Sequence, residues 1–175
     1  MLNDLKEFKK IAIFGSPGSG KSTLSRHIGK YTGLPIFYLD KEHWEKDWKM
    51  KSIKEQEKRQ IEICMQDRWI IDGNFSQTME IRYSYADLVI FLDINRFICL
   101  FSIIKRRGKP REDLPYFLNE KNLSIKDTYR FYKYTLNYHK TGKPIVFSLQ
   151  KKYYNTTFLY INSRAKANKI IKNIN

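Results

Sequence analysis

With 175 residues, 42% of them hydrophobic and 29% charged, the chain suits one domain with its own apolar core and does not have the composition of a disordered protein. Thirty-three lysines and arginines against 18 aspartates and glutamates give a net charge of +15, which favours polyanionic partners, whether nucleotide phosphates or nucleic acid. Residues 1–10 lack the apolar stretch of a signal peptide, and the longest apolar runs, such as 97–104, are too short to span a bilayer, so a cytoplasmic location is expected.

In chain order, residues 11–14 read as a buried strand and 22–31 as a helix with Leu24, Ile28 and Tyr31 on its apolar stripe. Between them Gly15, Ser16, Pro17, Gly18, Ser19, Gly20, Lys21, Ser22 and Thr23 fit G-x-x-x-x-G-K-[ST]. Such a loop turns successive backbone N–H groups toward one anion and adds the positive end of the following helix. Lys21 is placed to reach the β- and γ-phosphates of a nucleoside triphosphate, and the Ser22 hydroxyl to join a Mg²⁺ shell. The strand before the motif and the helix after it separate it from a chance glycine turn.

A second strand is expected over 35–39, ending at Asp40, then a polar loop over 41–51 that carries Trp44 and Trp48. Ser52 and Glu55 form a capping box opening a helix with Ile61, Cys64 and Met65 as its later apolar positions. A third strand runs into the turn Asp72-Gly73-Asn74, and 88–92 form a fourth strand ending at Asp93. A helix over 97–105, with Phe97, Leu100, Phe101 and Ile104 on one face, breaks at Gly108 and Pro110. Residues 108–123 read as a mobile loop, and the lid segment spans about 105–123. Ser124 and Asp127 cap a helix whose expected face is Ile125, Tyr129, Tyr132, Leu136 and His139, and a further helix is expected near Pro144. Residues 158–161 form the last strand and 164–174 the closing helix. This alternation predicts a single three-layer α/β domain over 1–175, a five-stranded parallel sheet with helices on both faces and a small lid.

Ligands of such sheets bind at the carboxyl ends of the strands, where Asp40, Asp72 and Asp93 all fall. Asp93 fits a Mg²⁺-holding carboxylate most simply and Asp72 competes with it, while each alone could be a turn or cap residue. Arg106, Arg107 and Arg111 flank the start of the loop, where a closing lid could bring them onto a transferring phosphoryl group. Lys126, Arg130, Lys133 and Lys140 beside Tyr134 and Tyr138 could track a nucleic-acid backbone, although a solvated helix face is the more common meaning of that pattern. For Trp44 and Trp48 core packing is the default and an acceptor pocket the alternative. Cys64 and Cys99 are expected as buried reduced thiols, and His27, His43 and His139 are too scattered to hold a metal.

The segments 14–23, Tyr38-Leu39-Asp40 with Trp44 and Trp48, 68–74 and 82–93 together resemble the adenylate-kinase-like family of DNA topology modulation proteins (FlaR), over roughly residues 10–112. The resemblance implies a nucleoside-monophosphate-kinase-like fold, ATP and Mg²⁺ binding, an arginine-bearing lid, and an adenine contact after the last strand near Arg164. In adenylate kinases the strand-end Asp-Gly is followed by an arginine that grips the monophosphate, whereas here Asp72-Gly73 runs into Asn74-Phe75-Ser76 and the next arginine is Arg82. That departure makes AMP a doubtful acceptor and leaves Arg82 either to grip the acceptor or to pin the sheet edge. Asp40 suits a hydroxyl acceptor, which profits from a neighbouring base. Asp40, Asp72 and Arg82 are thus the acceptor-side candidates. The expected protein is an ATP-dependent kinase for a small acceptor, nucleotide or hydroxyl compound, acting as a monomer or dimer. The alternative is an ATP-binding protein that acts on DNA.

Overall fold

The computed structural model describes residues 4–174. Its elements in order are β1 (Lys10–Gly15), α1 (Lys21–Thr32), β2 (Ile36–Tyr38), α2 (Leu39–His43), α3 (Ile53–Cys64), β3 (Trp69–Asp72), α4 (Met79–Tyr85), β4 (Leu88–Leu92), α5 (Arg96–Arg106), α6 (Ile125–Lys152), β5 (Thr157–Ile161) and α7 (Arg164–Asn173). The strands form one sheet in the order β2–β3–β1–β4–β5, every pair parallel. β1 is central, so both its faces must be buried, which its unbroken Ile11-Ala12-Ile13-Phe14 run satisfies. Ile11 and Ile13 pack with Leu24 and Ile28 of α1 and Ala167 of α7, whereas Ala12 and Phe14 pack with Ile63, Met79, Tyr83 and Val146 of α3, α4 and α6. The period-two alternation therefore produces three layers.

Several expected elements differ. β2 stops at Tyr38, and a helical turn carries Leu39 and Asp40 where a strand end and loop were expected. The turn sends Leu39 and His43, four residues apart, to the same interior side, with Leu39 packed beneath Gly73. α4, absent from the sequence reading, is only seven residues long and buries Met79, Arg82 and Tyr83. Residues 125–152 make one helix through Pro144, not two. The proline withdraws only its own N–H from the ladder, and Lys140, whose carbonyl loses that partner, is solvent-exposed.

Three helices also bury faces other than the expected ones. α6 buries Thr135, Tyr138, Gly142, Val146 and Leu149, leaving Ile125 and Tyr129 outside, and the Tyr138 ring lies over Gly142 one turn on. α5 buries Cys99 and Ile103 against the phosphate loop and exposes Phe97, Phe101 and Ile104. α3 buries Gln56 and Gln60 in place of Ile61 and Met65, since both glutamines find polar partners inside. Both thiols are free and buried, and among the described residues no helix is long and apolar enough to cross a membrane.

Candidate functional site

The loop between β1 and α1 is wound as its glycines require. Gly18 has φ +76°, and a Cβ there would lie 2.3 Å from the Cys99 carbonyl oxygen, so α5 can approach only a glycine. Gly20, at φ +100°, caps α1 and aims the helix N-terminus into the loop. The base of the loop is anchored by Asn74, whose Oδ1 accepts from the Gly15 N–H at 3.1 Å and from the Tyr138 hydroxyl at 3.2 Å. From α7, Arg164 donates to the Gly18 carbonyl at 2.8 Å and to Ser102 at 2.6 Å, which ties the crest of the loop to α5. The Lys21 ammonium folds over the loop to donate to the Ser16 carbonyl at 3.2 Å. Burial pulls its pKa down, and the nearby carboxylates of Asp72 and Asp40 resist that shift.

The three strand-end aspartates separate. Asp72 is buried beside α1, accepts from Ser25 Oγ at 3.2 Å, and titrates under the influence of Lys21 and Ser22. Burial pushes its carboxyl up. Asp93, the simplest choice by sequence, turns away: its N–H continues the ladder to Ile161, and its carboxylate accepts from Lys143 at 2.6 Å and Tyr160 at 2.5 Å. It lies outside the cavity that contains Ser22. Asp40 lines that cavity and takes no side-chain hydrogen bond from any described residue. Burial raises its pKa, against the charges of Arg111 and Lys21.

Arg82 does not reach an acceptor position. It is fully buried under Phe14, with its centre 5.3 Å from the ring, and donates to the carbonyls of Asn74 at 2.5 Å and Gly73 at 3.3 Å and to Gln60 Oε1. Burial lowers its pKa to about 9. Gln60 in turn meets His43 at 2.9 Å and donates to Thr78 at 2.6 Å, so Arg82 organises the turn after β3 from within. His43, buried beside that cation, is pushed down to about 4.

The segment 105–123 is held against the phosphate loop. Arg111 forms a two-pronged pair with Asp113, at 3.0 and 2.6 Å, and also bonds Glu120; Arg106 bonds Glu120 at 2.9 Å. Asp113 Oδ2 also accepts from Ser22 Oγ at 2.7 Å, so a lid carboxylate sits on the hydroxyl expected to bind a cation. Burial alone would raise the Asp113 pKa, but Arg111 and Ser22 hold it well below the usual range. Arg107 points elsewhere, to Thr128 on α6 at 3.3 Å, and is exposed.

Lys21, Ser22, Thr23, Asp40, Asp72, Arg106 and Arg111 line one cavity of about 650 Å³. Trp44 and Trp48, edge to face at 5.6 Å, line the same cavity with Phe75 and Tyr134, so these tryptophans belong to the pocket and not to the core. Tyr138 is buried against Asn74 and Tyr134 lines the cavity, which takes both rings off the basic face of α6. Sequence reasoning missed Asn74, Asp113 and Glu120. Asn74 was visible only as a turn residue, and nothing in an aperiodic, mixed-charge loop says which carboxylate meets which arginine.

The sheet order, the wound loop and the lid over it define a P-loop fold of the nucleoside-monophosphate-kinase-like type. Many solved structures match the chain, two of which follow. Shikimate kinase from Acinetobacter baumannii in complex with shikimate aligns with a TM-score of 0.55 and 15% identity, over 97% of this chain and 94% of its own. Deoxyadenosine kinase from M. mycoides with bound dATP aligns with a TM-score of 0.50 and 19% identity, over 94% and 97%. At such identities the likeness is one of fold. No family model and no curated protein sequence matches the chain.

Proposed function

We propose that the protein is a kinase that transfers the γ-phosphoryl group of ATP to a hydroxyl of a small acceptor with the help of Mg²⁺. The observation that carries this reading is one cavity holding Lys21, Ser22 and Asp72 at its phosphate-loop end, a hydrogen-bond-free Asp40 on its acceptor side, and two arginines on the segment closing it. A site that only hydrolysed ATP would need a group to position water and has no use for an aromatic acceptor half.

The loop N–H groups and the N-terminus of α1 cradle the triphosphate, and Lys21 follows the β- and γ-phosphates. Ser22 and Asp72 offer the hard oxygen donors that suit Mg²⁺, which when bound would offset the charge of the phosphate oxygens. Asp40 takes the acceptor's hydroxyl proton as that oxygen bonds to the γ-phosphorus, and the bond from phosphorus to the bridging oxygen breaks to release ADP. A carboxylate made more basic by burial is the better acceptor of that proton. Arg111 and Arg106, on exchanging Asp113 and Glu120 for phosphoryl oxygens, would stabilise the transferring group; the buried Arg106 Nε, which has no partner among the described residues, is one such donor. Arg164 supports the loop from outside and lies where adenine contacts are expected.

The test is ADP release by wild type and Lys21→Met across a panel of nucleosides, nucleotides and polyols. Acceptor-dependent release by wild type alone supports the reading, and tight ATP binding with no acceptor-dependent release overturns it.

A further inference from the structure

We propose that the acceptor half of the cavity selects an uncharged, hydroxyl-bearing compound with a planar ring, a nucleoside and not a nucleotide or a hydroxy acid; this rests on the kinase reading above. Charge is the first ground. Asp40, Asp47 and Asp72 line the cavity, while its three cations, Lys21, Arg106 and Arg111, belong to the phosphate loop and lid. Arg111 acts on Asp40, but in the kinase reading it turns with Arg106 to the transferring phosphoryl group. Arg82, for which the sequence left an acceptor grip or a sheet-edge pin, is turned into the protein and bonded to backbone carbonyls. A phosphate or carboxylate on the acceptor would therefore meet the like charges of Asp40, Asp47 and Asp72, while the cations lining the cavity are engaged by the triphosphate.

Shape and strain give the second ground. Trp44 and Trp48, packed edge to face on each other, line the cavity with Phe75 and Tyr134, so a flat ligand would meet several aromatic rings. Among the described residues only three non-glycine positions have positive φ, namely Asp47 at 56°, Trp48 at 57° and Phe75 at 33°, and all three line this cavity. Such conformations disfavour bulky side chains and persist where the surroundings enforce them, often at ligand sites. Transfer would run as above: the ligand's hydroxyl oxygen bonds to the γ-phosphorus of ATP, its proton passes to Asp40, and ADP leaves.

The experiment titrates the Mg²⁺-ATP-loaded protein with nucleosides, their 5′-monophosphates and shikimate, following tryptophan fluorescence, and measures phosphorylated product in parallel. Trp69 is fully buried, so the response reports on Trp44 and Trp48. The expected result is a saturable change with at least one nucleoside, its monophosphate binding at least about 10-fold more weakly, the scale of one like-charge contact. Asp47→Asn should narrow that ratio by strengthening monophosphate binding relative to nucleoside binding, a shift in selectivity that a merely structural role would not produce. Equal or tighter binding of the monophosphate or of shikimate, or no response to any nucleoside, overturns the inference. Phosphorylation of an anionic acceptor in preference would overturn it while sparing the kinase reading. Nucleoside binding without transfer would do the reverse.

Discussion

Asp113 on Ser22 makes a prediction whose sign is not the usual one for removing a buried charge. For Ser22 to join the Mg²⁺-triphosphate, its 2.7 Å hydrogen bond to Asp113 must be given up. A hydrogen bond to a charged group contributes about 1.5–3 kcal/mol and one between neutral groups about 0.5–1.5 kcal/mol. Asp113→Asn keeps the shape, removes the charge and leaves Arg111 paired with Glu120 alone. Opening should then cost roughly 1–1.5 kcal/mol less, so ATP should bind about 10-fold more tightly. Calorimetric titration of wild type and variant with ATP and Mg²⁺ reads this directly. Weaker or unchanged ATP binding would refute the reasoning, the first by showing that Asp113 serves the bound nucleotide and the second that the contact does not gate the site.

Gly18→Ala should lower stability by about 2 kcal/mol or more and weaken ATP binding, because the methyl group meets the Cys99 carbonyl at 2.3 Å in a left-handed conformation; denaturant melts with ATP titration check it. Asp72→Asn should weaken Mg²⁺-dependent ATP binding at least about 10-fold, whereas Asp93→Asn should change it less than about 2-fold, since Asp93 serves Lys143 and Tyr160. Because Asp40 must be ionised to take a proton and burial raises its pKa, the acid limb of kcat/KM should lie above the ordinary aspartate value of 3.8. Arg111→Met should move that limb to higher pH by removing the charge that holds Asp40 down. The same raised pKa means that the folded chain holds this proton more tightly than the unfolded one. Asp40 thus favours the fold at low pH, and its contribution fades as pH rises through the folded value.

The phosphate loop was readable because its chemistry is local: glycines, a lysine and a serine at fixed spacing between a strand and a helix. The five strands were readable for a similar reason, since central parallel strands must be apolar on both faces. What escaped depended on partners distant in sequence. Asp93 and Asp72 look alike at strand ends, and only the neighbours, Lys143 for one and Ser25 for the other, tell them apart. Arg82 reads as either an acceptor grip or a sheet-edge pin until four backbone and side-chain acceptors around the β3 turn are seen to claim it. Gln56 and Gln60 lie outside the apolar positions expected of α3, yet buried partners make them interior. The α5 face escaped because close approach to Gly18 of the phosphate loop, not hydrophobicity, decides which side packs.

The most direct test of the account follows the γ-phosphorus itself. With γ-labelled ATP, Mg²⁺ and the nucleoside panel, wild-type protein should place label on an acceptor hydroxyl, and Lys21→Met should place none. Label recovered only as inorganic phosphate, equally with and without acceptor, would contradict it.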